Sequence, residues 1–324
     1  MHGNALKREK CPDGSKDENV FDIRQGVAIA FFIKNKKSSN DECKVFHSEI
    51  WGLRDKKYNW LNSHDIKTTK WKELKPHSPF YFFIPREEKY EKLYDKFWKV
   101  TNIFPVNSVG IVTSRDKFLI DFDKNKLRNR INMFRNPTIS DENVKAIFKL
   151  KDKQKWRVSD VRKKLITDNN WEKYFQKILY RPFDTRHIYY YPGLIERSRL
   201  EVMKNMLDKN LAFLTMRQVS LDEEYTHFFV SEHIVDNRAF LSSKGIMQIF
   251  PLYLYKNSKR IPNILPTLQK ELKAKFDKNV KVEEILNYIY AISYSTIYRH
   301  KFSEFLKLIF REFLLQLIMI CSRK

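Results

Sequence analysis

Arginine, asparagine and glutamine side chains recur beside aromatic residues in this sequence, and this mixture is suited to binding nucleic acid. Guanidinium groups bind phosphate oxygens and guanine edges, and amide side chains pair with adenine edges. The densest stretch is RPFDTRHIYYYPG, residues 181–193. The residues predicted to contact DNA are Arg181, Arg186, Arg197, Arg199, Arg217, Gln218, Asn237 and Arg238.

Each of these residues also has a structural interpretation. Asp184 lies between Arg181 and Arg186, so an internal ion pair could fix a corner of the fold. Successive strand residues face opposite sides, so the three tyrosines that follow must send some rings into a core. We therefore expect Arg181 and Arg186 to be partly structural. The better candidates for DNA contact are Arg217, Asn237 and Arg238.

The chain is strongly basic. Its 62 Lys and Arg residues outnumber 39 Asp and Glu, which gives a formal net charge of +23 and a pI near 9.7. Such a charge predicts a polyanionic partner, most commonly nucleic acid. A lysine-rich, AT-biased coding background would give the same charge without any such partner. The 42% hydrophobic content excludes a disordered chain.

The sequence lacks the common catalytic motifs. G-x-G-x-x-G, G-x-x-x-x-G-K-[ST], G-x-S-x-G and H-E-x-x-H do not occur, and the chain has only seven glycines. Two groups could be imagined to hold a metal ion, but apolar neighbours favour a buried strand pair for the first, and lysines compete for the carboxylates of the second. These groups are His227, Glu232, His233 and Asp236, and then Asp121 and Asp123.

The cysteines and the apolar segments indicate the compartment. Cys11, Cys43 and Cys321 are far apart and form no C-x-x-C motif, which argues for a reducing compartment and against a zinc site. The N-terminus has no apolar signal region, and no apolar stretch is long enough to span a membrane. We therefore expect a cytoplasmic protein with no membrane partner.

The elements that position these residues follow from hydrophobic patterning. The apolar run at residues 27–33 predicts a strand that needs cover on both faces, as in a larger α/β sheet. Short β-like runs follow, then a basic helical insertion in which Ser140 is a predicted N-cap, a second β-rich block, and a helical C-terminus from residue 256. The predicted fold class is α+β.

Several long blocks resemble the C-terminal portion of Type ISP restriction–modification enzymes, which combine a nuclease, a translocase, an adenine-N6 methyltransferase and a specificity domain in one chain. The resemblance runs from residue 3 to about residue 307. Its blocks are GNALKREKCPDGSKDENVFDIRQGVAIAFFIKN, VFHSEIWGLRDKKYNWL, WKVTNIFPVNSVGIVTSRDKF, ILYRPFDTRHIYYYPG, MRQVS, THFFVSEHIVDNRAFLSSKGI and EEILNYIYAISYSTIYRHKFSEFLK.

The resemblance implies three segments and a DNA partner. Residues 1–42 would be the C-terminal remnant of a methyltransferase domain, residues 43–255 a target recognition domain, and residues 256–324 a helical end. The parent enzyme would use S-adenosylmethionine, with ATP and Mg for its other domains.

The [DN]-P-P-[YF] motif and the glycine loop are absent from this sequence. The resemblance therefore implies no catalytic, cofactor-binding or metal-binding residue here and no enzyme activity for this chain alone. Double-stranded DNA is the expected partner, and an upstream methyltransferase or translocase polypeptide is left open as a second.

Two other hypotheses remain open beside a DNA specificity module. The chain could be one half of a split adenine-N6 DNA methyltransferase, or a nonfunctional gene remnant with an exposed strand edge. The apolar tail LIFREFLLQLIMICSRK departs from the family pattern, which favours a frameshift or gene decay at this end. A structural or RNA-binding role is less favoured, because no RNA-recognition aromatic motif or GXXG loop occurs.

Overall fold

The computed structural model of this chain describes most of its residues and separates them into two units. The described residues are 2–34, 43–78, 81–85, 90, 94, 98–154, 156–216, 219, 225–240, 245–257, 259–303, 306 and 314–315. The first unit is Met1–Lys89 and the second is Tyr90–Lys324. The three-segment division expected from the family resemblance, with boundaries after residues 42 and 255, stays a prediction.

The first unit is small and is held partly by polar contacts. Strand β1 (Val45–His47) pairs antiparallel with β2 (Lys72–Leu74), and helix α1 (Arg54–Ser63) lies between them in sequence. Lys57 of α1 is fully buried and pairs with the equally buried Asp17 at 2.7 Å. The Lys57 ammonium also donates to the Glu18 carbonyl. A buried ion pair therefore anchors α1 to the N-terminal loop.

The predicted strand at residues 27–33 is wrong for this chain. These residues form no strand, and Ile29, Phe31, Phe32 and Ile33 are all more than half exposed. An extended apolar segment becomes a strand only when another strand supplies its hydrogen-bond partners. No strand of the described residues pairs with this segment, so its apolar side chains stay in solvent.

The second unit contains the sheet that carries the sequence block from residue 181. We call it the hairpin sheet, and its strand order is β10, β6, β7, β5. Strands β6 and β7 form an antiparallel hairpin, β5 pairs antiparallel with β7, and β10 pairs parallel with β6. The bounds are β5 Ile120–Asp121, β6 Phe175–Arg181, β7 Asp184–Tyr189 and β10 Ile234–Val235.

A second, antiparallel sheet has the strand order β4, β11, β8, β9. The bounds are β4 Ser108–Val109, β8 Ala212–Met216, β9 Phe228–Ser231 and β11 Met247–Pro251. Every residue of β8 is buried. Asn263 fastens the edge of this sheet, since its amide exchanges hydrogen bonds with the backbone of Val106 and donates to the Pro251 carbonyl.

Residues 110–112 join the two sheets. The N–H of Ile111 donates to the Val235 carbonyl, and the Ile111 carbonyl accepts from the N–H of Asn237. A Cβ at Gly110 would lie 2.5 Å from the backbone nitrogen of Asn237. Only glycine fits at position 110, because any side chain would collide with the backbone beyond β10.

The remaining strands and the helices enclose these sheets. Strands β12 and β13 form a hairpin, and β14 pairs antiparallel with β3. The strand bounds are β3 Trp98–Lys99, β12 Tyr253–Lys256, β13 Lys259–Pro262 and β14 Leu314–Leu315. The helices are α2 Val100–Ile103, α3 Asp116–Leu119, α4 Lys124–Arg135, α5 Asp141–Phe148, α6 Val158–Ile166, α7 Leu200–Met203, α8 Pro266–Phe276, α9 Val282–Tyr294 and α10 Thr296–Lys301. This mixture confirms the α+β class.

Polar residues fix the helical insertion. Ser140 accepts from the N–H of Asn143 and caps α5, as predicted. The buried Arg162 of α6 donates to the carbonyls of Phe134, Asn136 and Ile139. Its guanidinium thereby supplies hydrogen-bond donors to backbone carbonyls at the C-terminus of α4 and in the loop after it.

The three consecutive tyrosines are mainly core residues. Tyr189 and Tyr190 are almost fully buried, whereas Tyr191 is half-buried. The Tyr190 hydroxyl donates to the Ser198 carbonyl at 2.6 Å, and that of Tyr189 donates to the Trp171 carbonyl at 3.1 Å. Two successive rings can be buried because β7 ends at Tyr189 and its alternation ends there too.

Two sequence features concern the ends of the chain and the membrane. The apolar tail from residue 308 lies outside the described residues, apart from the backbone of Leu314–Leu315. Among the helices that the structure describes, none has the length and apolar character needed to cross a membrane.

Candidate nucleic-acid interface

The loop between β6 and β7 forms an exposed tip. Arg181 and Asp184 are paired across the hairpin, which leaves Pro182 and Phe183 as the two loop residues. Phe183 is 93% exposed and adopts φ +60°, in the left-handed region. Glycine, which has no Cβ, usually occupies that region, and a bulky residue such as phenylalanine is rare there.

Three loops meet at this end of the hairpin sheet. Because β10 runs parallel to β6, the turn at Asp236, Asn237 and Arg238 lies at the same end as the tip. Because β5 runs antiparallel to β7, Phe122 also follows its strand at this end, and it is 68% exposed. We call this region the hairpin-end surface. Its residues are Phe122, Arg181, Phe183, Arg186, Asn237 and Arg238.

Both arginines of this surface contact the Tyr180 ring. The guanidinium carbons of Arg181 and Arg186 lie 4.0 and 4.2 Å from the Tyr180 ring centroid. The Tyr180 hydroxyl donates to Asp116 at 2.8 Å, and burial together with this bond raises its pKa. The guanidinium of Arg186 also lies 4.1 Å from the Phe122 ring centroid. These cation–π contacts fix the positions of two positive charges.

Carboxylates complete the positioning of both arginines. Asp184 accepts from Nε and Nη2 of Arg186 at 2.7–3.0 Å, and this bonding raises the Arg186 pKa. Arg181 donates to Asp236 at 3.0 Å. Asp236 is buried, and its carboxyl also accepts from the N–H of Arg238. The side chains of both arginines are therefore positioned before any ligand arrives.

The pKa of Asp236 is raised above its ordinary value. Burial is the main cause, and it outweighs the N–H of Arg238 and the charge of Arg181, which both lower the pKa. A buried carboxylate is costly without compensating partners. The turn at residues 236–238 is therefore held by a carboxylate whose burial is only partly compensated by its partners.

The structure tests the expected ion pairs of the hairpin. Arg186 pairs with Asp184, as predicted. Arg181 pairs with Asp236 rather than with Asp184, so that part of the expectation is wrong. The ladder is irregular between Leu179 and Arg181, and such irregularities redirect side chains.

The other predicted DNA contacts are placed differently from one another. Arg197 is exposed, and its backbone exchanges hydrogen bonds with that of Val112, the last residue of the segment that joins the two sheets. Arg199 is exposed and adopts φ +52° immediately before α7, and the contacts of the hairpin-end surface do not include it. Arg217 and Gln218 lie outside the described residues. A role in DNA contact stays a prediction for all of these residues.

Both imagined metal sites have other partners in the protein. Asp121 accepts from Arg130 at 2.5 Å, and Asp123 caps α4 by accepting from the N–H of Asn125. The segment with His227 and His233 contains β9 and β10, and Phe228, Ile234 and Val235 are buried as expected. The expected strand pair is wrong, because β9 pairs with β8 in the antiparallel sheet and β10 pairs with β6 in the hairpin sheet. Within the part of the chain that the structure describes, no group of three His, Cys, Asp or Glu residues could hold a metal ion.

Sequence reasoning missed three aromatic members of this arrangement. Tyr180 and Phe122 carry no motif, and only the pairing of β5, β6 and β7 brings them beside the arginines. Phe183 did leave a signal, because an apolar ring between Pro182 and Asp184 in a turn has no core to enter.

Comparison with known proteins identifies the family. The family model described as the Type ISP C-terminal specificity domain matches residues 102–310, which is well over half of the chain. This chain belongs to that family. The matched residues contain the whole hairpin-end surface, both large sheets and helices α3 to α10. No curated protein sequence matches the chain.

Solved structures share the fold of this Type ISP specificity domain. The cryo-EM structure of a DrdV–DNA complex has a TM-score of 0.59 at 19% identity, covering 98% of this chain and 32% of the other. The ATP-dependent Type ISP restriction–modification enzyme LlaBIII bound to DNA has a TM-score of 0.59 at 21% identity, covering 96% and 22%. A nuclease-deletion mutant of the Type ISP enzyme LlaGI, in complex with a DNA substrate mimic, has a TM-score of 0.51 at 19% identity, covering 94% and 29%. The chain spans at most about a third of these proteins.

Proposed function

We propose that this Type ISP specificity domain binds double-stranded DNA and selects its target sequence through the hairpin-end surface. The observation that carries the proposal is the meeting of three loops at one end of one sheet, where Arg181, Arg186 and Arg238 lie beside Asn237. The chain's net charge of +23 and the DNA complexes formed by structurally similar proteins also support it.

The surface offers both kinds of contact that recognition requires. Arg186 is held by Asp184 through Nε and Nη2, so Nη1 can bind a phosphate oxygen or a guanine edge. Asn237 presents an amide from a backbone fixed against Ile111, and amides pair with adenine edges. A well-placed contact to a base edge contributes roughly 1–3 kcal/mol of discrimination.

The proposal extends to the parent enzyme. The chain would direct adenine-N6 methylation and cleavage without catalysing either reaction, while S-adenosylmethionine, ATP and Mg bind elsewhere in the enzyme. Residues 1–42 would close the methyltransferase sheet and residues 43–255 would recognise the target. Residues 256–324 would form the C-terminal end, in which helices α8 to α10 follow strand β13. The exposed apolar side chains of residues 29–33 support the first assignment, because a neighbouring strand would cover them. A DNA partner also favours a cytoplasmic location.

A DNA-binding experiment tests the proposal. Duplexes that bind the chain are selected from a random pool, and affinity for the selected duplex is measured by fluorescence anisotropy at several salt concentrations. We expect Asn237→Ala to lose about tenfold in affinity for the selected duplex and much less for a random one. Arg128→Ala is the matched control, because Arg128 is an exposed, ion-paired arginine whose partner Glu172 precedes the opposite end of β6. Failure of the pool to enrich any sequence would refute target selection.

The exposed apolar run also supports a second candidate, one half of a split adenine-N6 DNA methyltransferase. An upstream methyltransferase polypeptide would then supply the strands that residues 27–33 lack. Mixing the chain with such a polypeptide should form a stable complex with methylation activity that neither polypeptide has alone. Gel filtration and transfer of a labelled methyl group to DNA would measure both properties.

A further inference from the structure

We propose that Phe183 is a wedge that enters the base stack of the bound duplex at the target site. This inference rests on the proposed DNA binding and specifies how the hairpin tip engages the DNA. Proteins that kink or unstack DNA commonly insert a single apolar side chain, such as phenylalanine, between two base pairs.

The first observation is the exposure of the ring. Phe183 is 93% exposed, which is more than any other large apolar residue among those the structure describes. Its ring contact is with Phe229, edge to face at 5.9 Å. Phe183 therefore contributes little to the core, and a buried role does not explain a phenylalanine at this position.

The second observation is the backbone conformation. Phe183 has φ +60°, where non-glycine residues are disfavoured, and glycine or asparagine would occupy this turn at lower cost. Pro182 precedes it in a two-residue loop, so the tip has little freedom to change shape. A strained, rigid presentation of an exposed ring points to a role outside the folding of the chain.

The third observation is what surrounds the tip. Phe229, which supports the Phe183 ring, is itself stacked on the buried Phe240 at 4.0 Å, so the wedge has a rigid base. Arg181 immediately precedes the loop, and Arg186 lies on the returning strand. Positive charges on both strands of the hairpin would bind the phosphates that flank the opened base step.

Substitutions at position 183 separate the ring from the turn. Phe183→Asn keeps a residue that tolerates left-handed φ and removes the ring. Phe183→Gly removes both the ring and the strain, so we expect it to raise the Tm of the chain by about 2–4 °C while it weakens DNA binding. Loss of the stacking contact should reduce affinity about tenfold in either variant.

Fluorescence of 2-aminopurine reports unstacking directly. The selected duplex carries 2-aminopurine at one position at a time, so that every base step is sampled. We expect the wild-type chain to increase the emission strongly at one step, and Phe183→Asn and Phe183→Gly to abolish that increase at saturating protein. The control Ile297→Asn removes a 78% exposed apolar side chain of α10 that is not part of the hairpin-end surface, and it should keep the signal.

The outcomes distinguish the wedge from DNA binding itself. No change of emission at any step in a saturated wild-type complex would overturn the wedge and leave DNA binding intact. A signal that survives in Phe183→Asn would do the same, because another residue would then open the stack. Absence of wild-type binding to any duplex would overturn the proposed function and the wedge with it.

Discussion

Replacing Asp236 by two different residues tests how the fold stabilises the turn that carries Asn237 and Arg238. Asp236→Ala removes a buried acceptor and leaves Arg181 and the N–H of Arg238 without it. Breaking a buried pair costs about 3–5 kcal/mol, but the Arg181 side chain is 33% exposed and can be solvated by water. We therefore expect a loss of about 2–3 kcal/mol in the free energy of unfolding.

Asp236→Asn should behave differently. The amide oxygen can still accept from Arg181 and from the N–H of Arg238, while the cost of burying a charge disappears. The raised pKa of Asp236 means that burial destabilises the carboxylate more than its hydrogen-bond and charge partners stabilise it. We expect the free energy of unfolding of Asp236→Asn to lie within about 1 kcal/mol of the wild-type value at neutral pH. Urea denaturation, with the midpoint and slope compared among the three proteins, measures both variants.

The difference in stability between the wild type and Asp236→Asn should depend on pH in one direction only. A folded-state pKa raised above the ordinary 3.8 means that the folded chain binds a proton more tightly than the unfolded chain. Wild-type stability relative to Asp236→Asn should therefore fall as pH rises from 3.8 through the raised pKa, and then stay constant. Two results would refute the reasoning. One is an Asp236→Asn variant as unstable as Asp236→Ala, and the other is a wild-type stability that rises relative to Asp236→Asn as pH rises.

Asp121 provides a control of opposite sign in the same sheet. Its burial raises the pKa, but the N–H of Asp123 and the guanidinium of Arg130 outweigh that effect and leave the pKa lowered. Ionised Asp121 therefore stabilises the fold. Asp121→Asn should match the wild type at low pH and become less stable than it as pH rises to the ordinary value of 3.8.

Three further predictions concern other parts of the chain. Gly110→Ala should lower the free energy of unfolding by about 1–3 kcal/mol and weaken DNA binding as well, measured by urea denaturation and anisotropy, because the added Cβ meets backbone 2.5 Å away. Arg217→Ala combined with Arg238→Ala should weaken DNA binding and lower the slope of log K against log salt by about two; unchanged affinity and slope would remove both residues from the interface. Lys57→Ala should destabilise the first unit by about 3–5 kcal/mol, because it leaves the buried Asp17 without its partner; proteolysis of that unit at increasing urea would report the loss, and wild-type resistance would contradict it.

Local features of the fold were predictable from the sequence. The polar cap at Ser140, the pair of Arg186 with Asp184 and the burial of tyrosine rings all depend on residues close together in the chain. The family was also recognisable from several long sequence blocks, and the family model matches residues 102–310. Such signals survive in a single sequence because each is complete within a short segment.

The candidate site depended on pairing that no local pattern shows. Arg181 meets Asp236, 55 residues away, only because β10 adds to β6 in parallel. Charge and turn residues could mark each loop separately, but not that the loops share one end of a sheet. The error at residues 27–33 has the same origin, since strand formation depends on a partner that apolar residues cannot specify alone.

The hydrogen bonds of Asn263 have a consequence for the order in which the chain can fold. Its amide closes a loop of 157 residues by binding the backbone of Val106, and β4 pairs with β11 at a similar separation. A nascent chain must therefore wait for the ribosome to deliver residue 251 before β4 can pair with β11, and residue 263 before Val106 has its side-chain partner. Pairing over such separations slows folding, because a long loop must close first. The growing polypeptide would need protection from aggregation until residue 263 has emerged, and truncations before that residue should be more harmful than their distance from the hairpin tip suggests.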